Sequence, residues 1–596
     1  MIIFGTKTNG DNNTPQQPRR RGGCLRGCLW AFLIYLVLSA LMGALFGSMF
    51  SSSTEVALED KTVYRLDLEG TLVEQGAPAD PWAEVMKQIP SNGFISSDET
   101  VGLDQILANI RLAKEDDRIL GIYLHGGELA AGQASAKEIR EALIDFKTSG
   151  KWIVAFADSY TATNYYIASV ADRICLSKTG TLAWDGLSAQ KMYYTRALEK
   201  IGVEMQILKV GTFKSAVEPF FMTEMSEADR LQTETYLNGI WKNLVAGVAK
   251  SRNLTSYKLN QAADLYMSLQ PEESYIAQGL IDTLVYEFEM DSVLRVYAGS
   301  KDYHKINTSD LASVRRSEPK AKDEVAVLYA EGEITDSEGD GIVGTELVKT
   351  IRKIAKEDDV KALVLRVNSP GGSADASEQI WGALQMVRSK GIPVVVSMGD
   401  LAASGGYYIS CGADYIYAEP TTITGSIGIF GTVPNFNTLR NKVGLDIDGV
   451  NTNRHSDLSS NAVYKGLNPE ERDLMQKMVE RGYDLFTSRC AAGRHMPQDS
   501  IKAIGEGRVW LGKDAKRLGL VDAMGNIDNA VEKAAALAHL DSYKISYYPE
   551  VKDPIEEMLE SLLQGNPTEE EKLIIKLRNF CQRPRVMALM PEVKIQ

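Results

Sequence analysis

The sequence predicts an α/β fold in which one architecture occurs twice in tandem, behind an N-terminal helix that crosses a membrane. Three observations carry this reading. Short β-branched apolar runs alternate with helically spaced apolar residues, the pattern of strand–helix units. A long stretch recurs in register at an offset of 242 residues, which marks an internal duplication. Leu29–Phe50 supplies 22 residues without a charge, enough to span a bilayer.

Taken in order, residues 1–28 are rich in Asn, Gln, Pro and Arg and read as a short disordered cytoplasmic tail. Residues 29–50 form the anchor, since a cleavable signal peptide has a shorter apolar core of about 7–15 residues. Arg19, Arg20, Arg21 and Arg26 precede it, and no basic residue follows until Lys61. The excess of positive charge keeps the N-terminus in the cytoplasm and places everything after residue 50 on the far side.

The first repeat spans 55–307 and the second 323–548, with a polar linker over 308–322. Ala113–Asp117 answers to Ala355–Asp359, and Lys151–Asp172 aligns with Pro393–Asp414 with seven of 22 positions identical. Lys200-x-Gly202 matches Lys442-x-Gly444, and Gly279-Leu-Ile-Asp282 matches Gly519-Leu-Val-Asp522 after a slip of two. Within the second repeat Glu324–Tyr329, Ala362–Val367 and Val394–Ser397 read as buried strands. Leu347, Ile351 and Ile354 mark a helix between the first two, and another helix starts at Ser404. The tail, 549–596, carries an amphipathic segment, Glu569–Phe580, and the apolar run Val586–Met590.

Composition excludes several classes. A net charge of −14 argues against a nucleic-acid groove, which needs a surplus of Lys and Arg. The six cysteines form no C-x-x-C pair and only five histidines are present, so a zinc site of standard spacing is absent. The cysteines read as free, mostly buried thiols.

The chemistry concentrates in three places. Asp400-Leu-Ala-Ala-Ser404-Gly-Gly sets a hydroxyl among small residues after a strand, where an exposed nucleophile and helix-end N–H groups come together. Asn368-Ser-Pro-Gly371-Gly372 follows the preceding strand, and its two glycines can turn backbone N–H groups toward one oxyanion. Each alone is as well explained by an N-cap or a β-turn. Of the five histidines only His125 and His455 lie near repeat landmarks, and neither has an obvious partner carboxylate spacing. Lys214, in Gly211-Thr-Phe-Lys214-Ser-Ala-Val-Glu-Pro219, has the apolar neighbours that depress an amine pKa toward neutrality. At the repeat offset Ser404 corresponds to Ala162 and Lys214 to Ser456. Each half therefore retains one part of a two-part site, and one complete site forms per chain.

These motifs, together with Thr-Gly-Ser426-Ile-Gly, resemble in type, order and spacing those of the signal peptide peptidase A family (protease IV) in its long, two-repeat form. The resemblance covers roughly residues 55–545. It implies a fold akin to crotonase and Clp protease, a dyad of Ser404 and Lys214, and a hydrogen bond from the lysine to Ser426. It further implies a membrane-bound homo-oligomer, a tetramer, on the periplasmic side of a bacterial inner membrane. The expected substrates are residual signal peptides and other apolar segments, with no metal, nucleotide or other cofactor. Gly507–Asp514 meets a phosphate-loop spacing but has Asp where the magnesium-binding hydroxyl belongs. The rival readings are a membrane scaffold whose site has decayed and a crotonase-like acyl-transfer enzyme.

Overall fold

The computed structural model describes residues 58–76, 100–314, 321–339, 341–550, 585–590 and 594–595. The predicted anchor over 29–50 and the amphipathic segment Glu569–Phe580 lie outside these residues. Among the described residues no helix is long and apolar enough to cross a membrane.

The first repeat builds a parallel sheet from β1 (Thr62–Val73), β2 (Ile119–Ala130), β3 (Trp152–Tyr160) and β4 (Arg173–Leu182), adjacent in that order. The crossovers are α1 (Leu103–Glu115) before β2, α2 (Gln133–Lys147) before β3 and α3 (Ala162–Ala168) before β4. Parallel strands need such crossovers, which is why strand and helix patterns alternate along the sequence. Beyond β4 come β5 (Glu204–Lys209) and the long α4 (Glu227–Arg252).

The second repeat follows the same plan. It runs β6 (Glu324–Glu331), α5 (Gly344–Ile354), β7 (Val360–Ser369), β8 (Gly371–Ser373), α6 (Ala374–Ser389), β9 (Val394–Ala403) and α7 (Gly405–Ser410). Then come β10 (Tyr415–Ala418), β11 (Ile423–Gly425), β12 (Phe430–Asn435), α8 (Pro469–Arg494), β13 (Val509–Leu511) and β14 (Lys544–Tyr548). Its sheet orders β13-β11-β9-β7-β6-β14, with β10 beside β9. Leu363, Leu365 and Val367 of β7 enter one core cluster, while Ala362 and Val364 enter another with Ala530, Val531 and Ala534. Both faces are covered, so the strand reads as a continuous apolar run.

The residues that the repeats share hold the fold. Asp172 and Asp414 accept the N–H groups of Ile153 and Val394, each at 2.8 Å, at the starts of β3 and β9. Asp282 and Asp522 accept those of Ile174 and Ile416 at 2.7 and 2.8 Å and pair with Arg252 and Arg494. The hydroxyls of Tyr165 and Tyr407 donate to the carbonyls of Leu280 and Leu520. The stretch predicted as a linker begins differently from expectation. Thr308–Ala312 is a short helix held to the first repeat by Tyr64 and Asn109, and Leu311 is buried.

A third sheet joins the repeats, with β8 and β12 of the second, β5 of the first and a further strand from the tail, β15 (Arg585–Leu589). β12 pairs antiparallel with β5 from Phe430↔Lys209 to Asn435↔Glu204. Polar contacts reinforce the union. Arg366, within β7 and fully buried, reaches Glu74 at 2.7 Å and Glu138 at 2.7 Å, both from the first repeat, and donates to Ser397 at 2.9 Å. Burial pushes the Glu138 carboxyl up to about 8 against the pull of the guanidinium. Asp400 accepts from the N–H groups of Ala134 and Ser135 at the start of α2. Removing Arg366 strands two carboxylates in a dry interior, so Arg366→Leu should cost about 3–5 kcal/mol. Adding Glu74→Gln and Glu138→Gln should restore most of that. Denaturant midpoints measure both, and a loss below about 1 kcal/mol for Arg366→Leu alone would contradict this role.

Candidate active site

Ser404 follows β9 and stands at the N-cap position of α7 with φ 56° and ψ −112°, a conformation that a side-chain-bearing residue rarely takes. Two bonds hold it there. Its N–H donates to the Gly425 carbonyl at 2.8 Å, and its carbonyl accepts from the Tyr408 N–H at 2.8 Å. Ala403 and Gly405 on either side leave the turn unobstructed, as the small-residue pattern required.

Lys214 arrives from the other repeat. The β5–β12 ladder continues in the Val210 N–H, which donates to the Ile429 carbonyl at 3.1 Å. The Phe213 N–H then donates to the Glu506 carbonyl at 2.9 Å. Gln232 of α4 locks this turn by donating to the Phe213 carbonyl and the Ser215 hydroxyl, while accepting from the Val509 N–H. Gly507 and Gly428 wall the side chain. A Cβ on Gly507 would lie 2.6 Å from Lys214 Cβ, and one on Gly428 would lie 3.2 Å from its Cδ.

Lys214 Nζ ends 2.7 Å from Ser404 Oγ, 3.1 Å from the Ser426 carbonyl and 3.1 Å from Ser426 Oγ. All three residues are 0% exposed. Ser426 Oγ donates to the Gly507 carbonyl at 3.2 Å, so it is an acceptor toward the amine. A neutral amine has two N–H groups and one lone pair. Its two N–H groups match the two Ser426 oxygens, which leaves the lone pair for the Ser404 hydroxyl. Desolvation by burial is the cause that drives the Lys214 pKa well below its ordinary value.

Gly371 and Gly372, with φ of 101° and 157°, lie against Gly405, where an added Cβ would come 3.0 Å from Gly371 Cα and 3.0 Å from Gly372 N. A Cβ on Gly371 would come 2.6 Å from the Gly405 N, and one on Gly372 would come 2.0 Å from the Ile334 carbonyl oxygen. The loop therefore requires glycine for close approach as well as for conformation. The Gly371 N–H, however, donates to Ser369 Oγ at 3.1 Å. Sequence reasoning missed the Gly405 N–H, the first of α7, which has no partner within its own helix. Its signal was its position directly after the serine.

The corresponding place in the first repeat is filled. Trp184, the counterpart of Ser426, is fully buried, donates to the Leu259 carbonyl at 3.0 Å and packs on Trp241 and Tyr165. Ser456, the counterpart of Lys214, is exposed and bonded to Asn453. Three histidines have carboxylate partners that their spacing did not reveal, His125 with Asp67 at 3.0 Å, His304 with Glu59 at 3.2 Å and His455 with Glu470 at 3.4 Å. None of them is bonded to Ser404 or Lys214. Cys175, Cys411 and Cys490 are buried free thiols.

The peptidase family S49 model matches residues 145–298 and 386–541, reproducing the repeat offset to within a residue. A Clp protease model matches residues 316–422. Protease 4 of Salmonella typhi is 35% identical over 513 residues, covering 83% of this chain and 82% of the relative. Protease 4 of Haemophilus influenzae is 34% identical over 502 residues, 81% and 80% of the two chains. The chloroplastic serine protease SPPA of Arabidopsis thaliana is 30% identical over 488 residues, 78% and 71%. With two family matches in tandem and relatives aligned over most of their length, this chain is a serine-type protease that belongs to peptidase family S49, among the Protease 4 and SppA proteins.

Proposed function

We propose that the protein is a membrane-anchored endopeptidase that works by a Ser404–Lys214 dyad and degrades residual signal peptides and other apolar segments on the periplasmic side. The observation that carries this reading is the 2.7 Å contact between a hydroxyl and an amine that are both wholly buried. Neutral Lys214 takes the Ser404 proton as Oγ attacks a peptide carbonyl carbon. Negative charge develops on the carbonyl oxygen, where the Gly405 N–H faces it and the Gly371–Gly372 backbone lies alongside. For Gly371 to help, its N–H must leave Ser369 Oγ for the oxyanion. The Lys214 ammonium then returns its proton to the leaving amine as the C–N bond breaks. Water attacks the acyl-enzyme, losing a proton to Lys214, which passes it to Ser404 Oγ as the ester C–O bond breaks and the second product leaves. Ser426 holds the amine in line and, offering only acceptors, does not repel its protonated form. Peptides are the partners, together with the bilayer and further copies of the chain as a homo-oligomer, a tetramer.

Digestion of a synthetic signal peptide, read by mass spectrometry, tests the reading. Ser404→Ala should remove turnover by about four orders of magnitude or more, and Lys214→Met by about three or more, with both variants folded. Appreciable turnover in either defeats the dyad. A base with a depressed pKa is active when deprotonated. The rate should therefore rise about tenfold per pH unit below that pKa and level off above it. A flat profile from acid to alkaline pH would count against Lys214. The anchor is tested separately: the full chain should stay with membranes through an alkaline carbonate wash, and a chain lacking residues 29–50 should not.

A further inference from the structure

A cavity of about 350 Å³ lies beside the proposed dyad. Part of its wall is apolar and belongs to the second repeat: Pro370, Leu401 of β9, Ile423 of β11 and Val509 of β13. These residues adjoin the reacting groups. Pro370 directly precedes Gly371, and Leu401 pairs with Ile423. Val509 pairs with Gly425, whose carbonyl accepts the Ser404 N–H. Leu589 and Met590 of β15 border the cavity as well.

Another part of the wall is polar and comes from the first repeat: Lys191 and, near the start of α4, Asp229, Gln232, Thr233 and Tyr236. Gln232 is the residue that locks the turn carrying Lys214, so this wall is fixed to the dyad. Lys191 Nζ lies 2.6 Å from both Asp229 carboxylate oxygens, with the two side chains 4% and 0% exposed, so these charges cancel each other. Thr233 and Tyr236 are treated differently. Both are buried, yet their hydroxyls make no hydrogen bond beyond one that the two can share. A helical threonine can bond the carbonyl four residues back, as Thr235 does with Leu231, and a buried tyrosine hydroxyl ordinarily finds a partner. Two hydroxyls with donor and acceptor capacity to spare are therefore left at the wall of a cavity.

We propose that this cavity is a substrate side-chain subsite in which the Thr233 and Tyr236 hydroxyls select a neutral hydrogen-bonding tip on an apolar stem, as tyrosine and glutamine have. This inference rests on the peptidase reading above. Pro370, Leu401, Ile423 and Val509 bury the stem, and the hydroxyls meet the tip. A charged tip is disfavoured, because Lys191 and Asp229 already neutralise each other and neither is free to act as a counter-ion. Glu333 stands at the exposed edge of the cavity, where water and salt screen it. A wholly apolar side chain fits the space but excludes water from the hydroxyls without bonding them. A site built to hydrogen-bond a substrate group discriminates against the analogue that lacks it.

The test is a synthetic signal peptide in which each position in turn carries Tyr, Phe, Gln, Met, Glu or Lys. At one position kcat/KM should favour Tyr over Phe and Gln over Met by about tenfold or more, with Glu and Lys below Phe. Tyr236→Phe and Thr233→Val should each reduce the Tyr/Phe ratio by about threefold or more, and the double variant should bring it to about one. Each ratio is taken within one protein, so a variant that folds in part still reports it. Ratios near one at every position in the unaltered chain overturn the proposal, as does a Tyr preference that survives in the double variant. Fluorescent forms of the same peptides, bound to the chain carrying Ser404→Ala with and without the double variant, give the same comparison as a ratio of Kd values. If the unaltered chain hydrolyses no peptide, the peptidase reading fails, and the Kd ratios alone then decide the subsite.

Discussion

A lysine buried without a counter-ion is the constraint around which this molecule is arranged. An isolated ammonium in a dry interior is costly enough that the group gives up its proton instead. Lys214 meets two oxygens of Ser426 and the hydroxyl of Ser404. Arg366, also wholly buried, is treated in the opposite way and sits between Glu74 and Glu138. A guanidinium keeps its charge and must be paired, whereas an amine can be made neutral by withholding a partner. The fold pays for this at low pH. The unfolded chain binds the Lys214 proton more readily than the folded one, so this residue penalises folding below its depressed pKa. The penalty is relieved as pH rises from there toward the ordinary lysine value.

Duplication explains how such a site can be built. Positions shared by the repeats are structural: aspartates that accept the first N–H of a strand, a tyrosine hydroxyl on a loop carbonyl, an arginine on a strand-end aspartate. Positions where they differ are those the proposed chemistry uses. Ala162 has no hydroxyl, and a fully buried Trp184 stands at the position that corresponds to Ser426. Bringing one half's lysine to the other half's serine then requires a contact that neither repeat makes alone. The β5–β12 ladder supplies it, and Arg366 and Asp400 fix the same boundary.

Much of this was legible in the sequence for identifiable reasons. The strands around Val325, Leu363 and Val394 are covered on both faces and so appear as unbroken apolar runs. The complementary losses at Ala162 and Ser456 point to Ser404 and Lys214. What was not legible depends on pairings between distant segments. Nothing in Glu204–Lys209 or Val586–Met590 indicates which edge it will join, because backbone hydrogen bonds carry little sequence signature. Arg366 was hidden inside a run read as an apolar strand, and its partners come from the other repeat. The conformation of Ser404 and the direction of the Gly371 N–H are backbone properties that residue type permits without specifying.

The central claim is that a neutral Lys214 activates Ser404. The most direct measurement is the rate at which a serine-directed phosphonate labels the intact chain, followed by mass as a function of pH. A single adduct should form on Ser404, faster as pH rises through the depressed lysine pKa and at least a hundredfold more slowly in Lys214→Met near neutrality. Equal labelling rates in the two proteins across the pH range would contradict it.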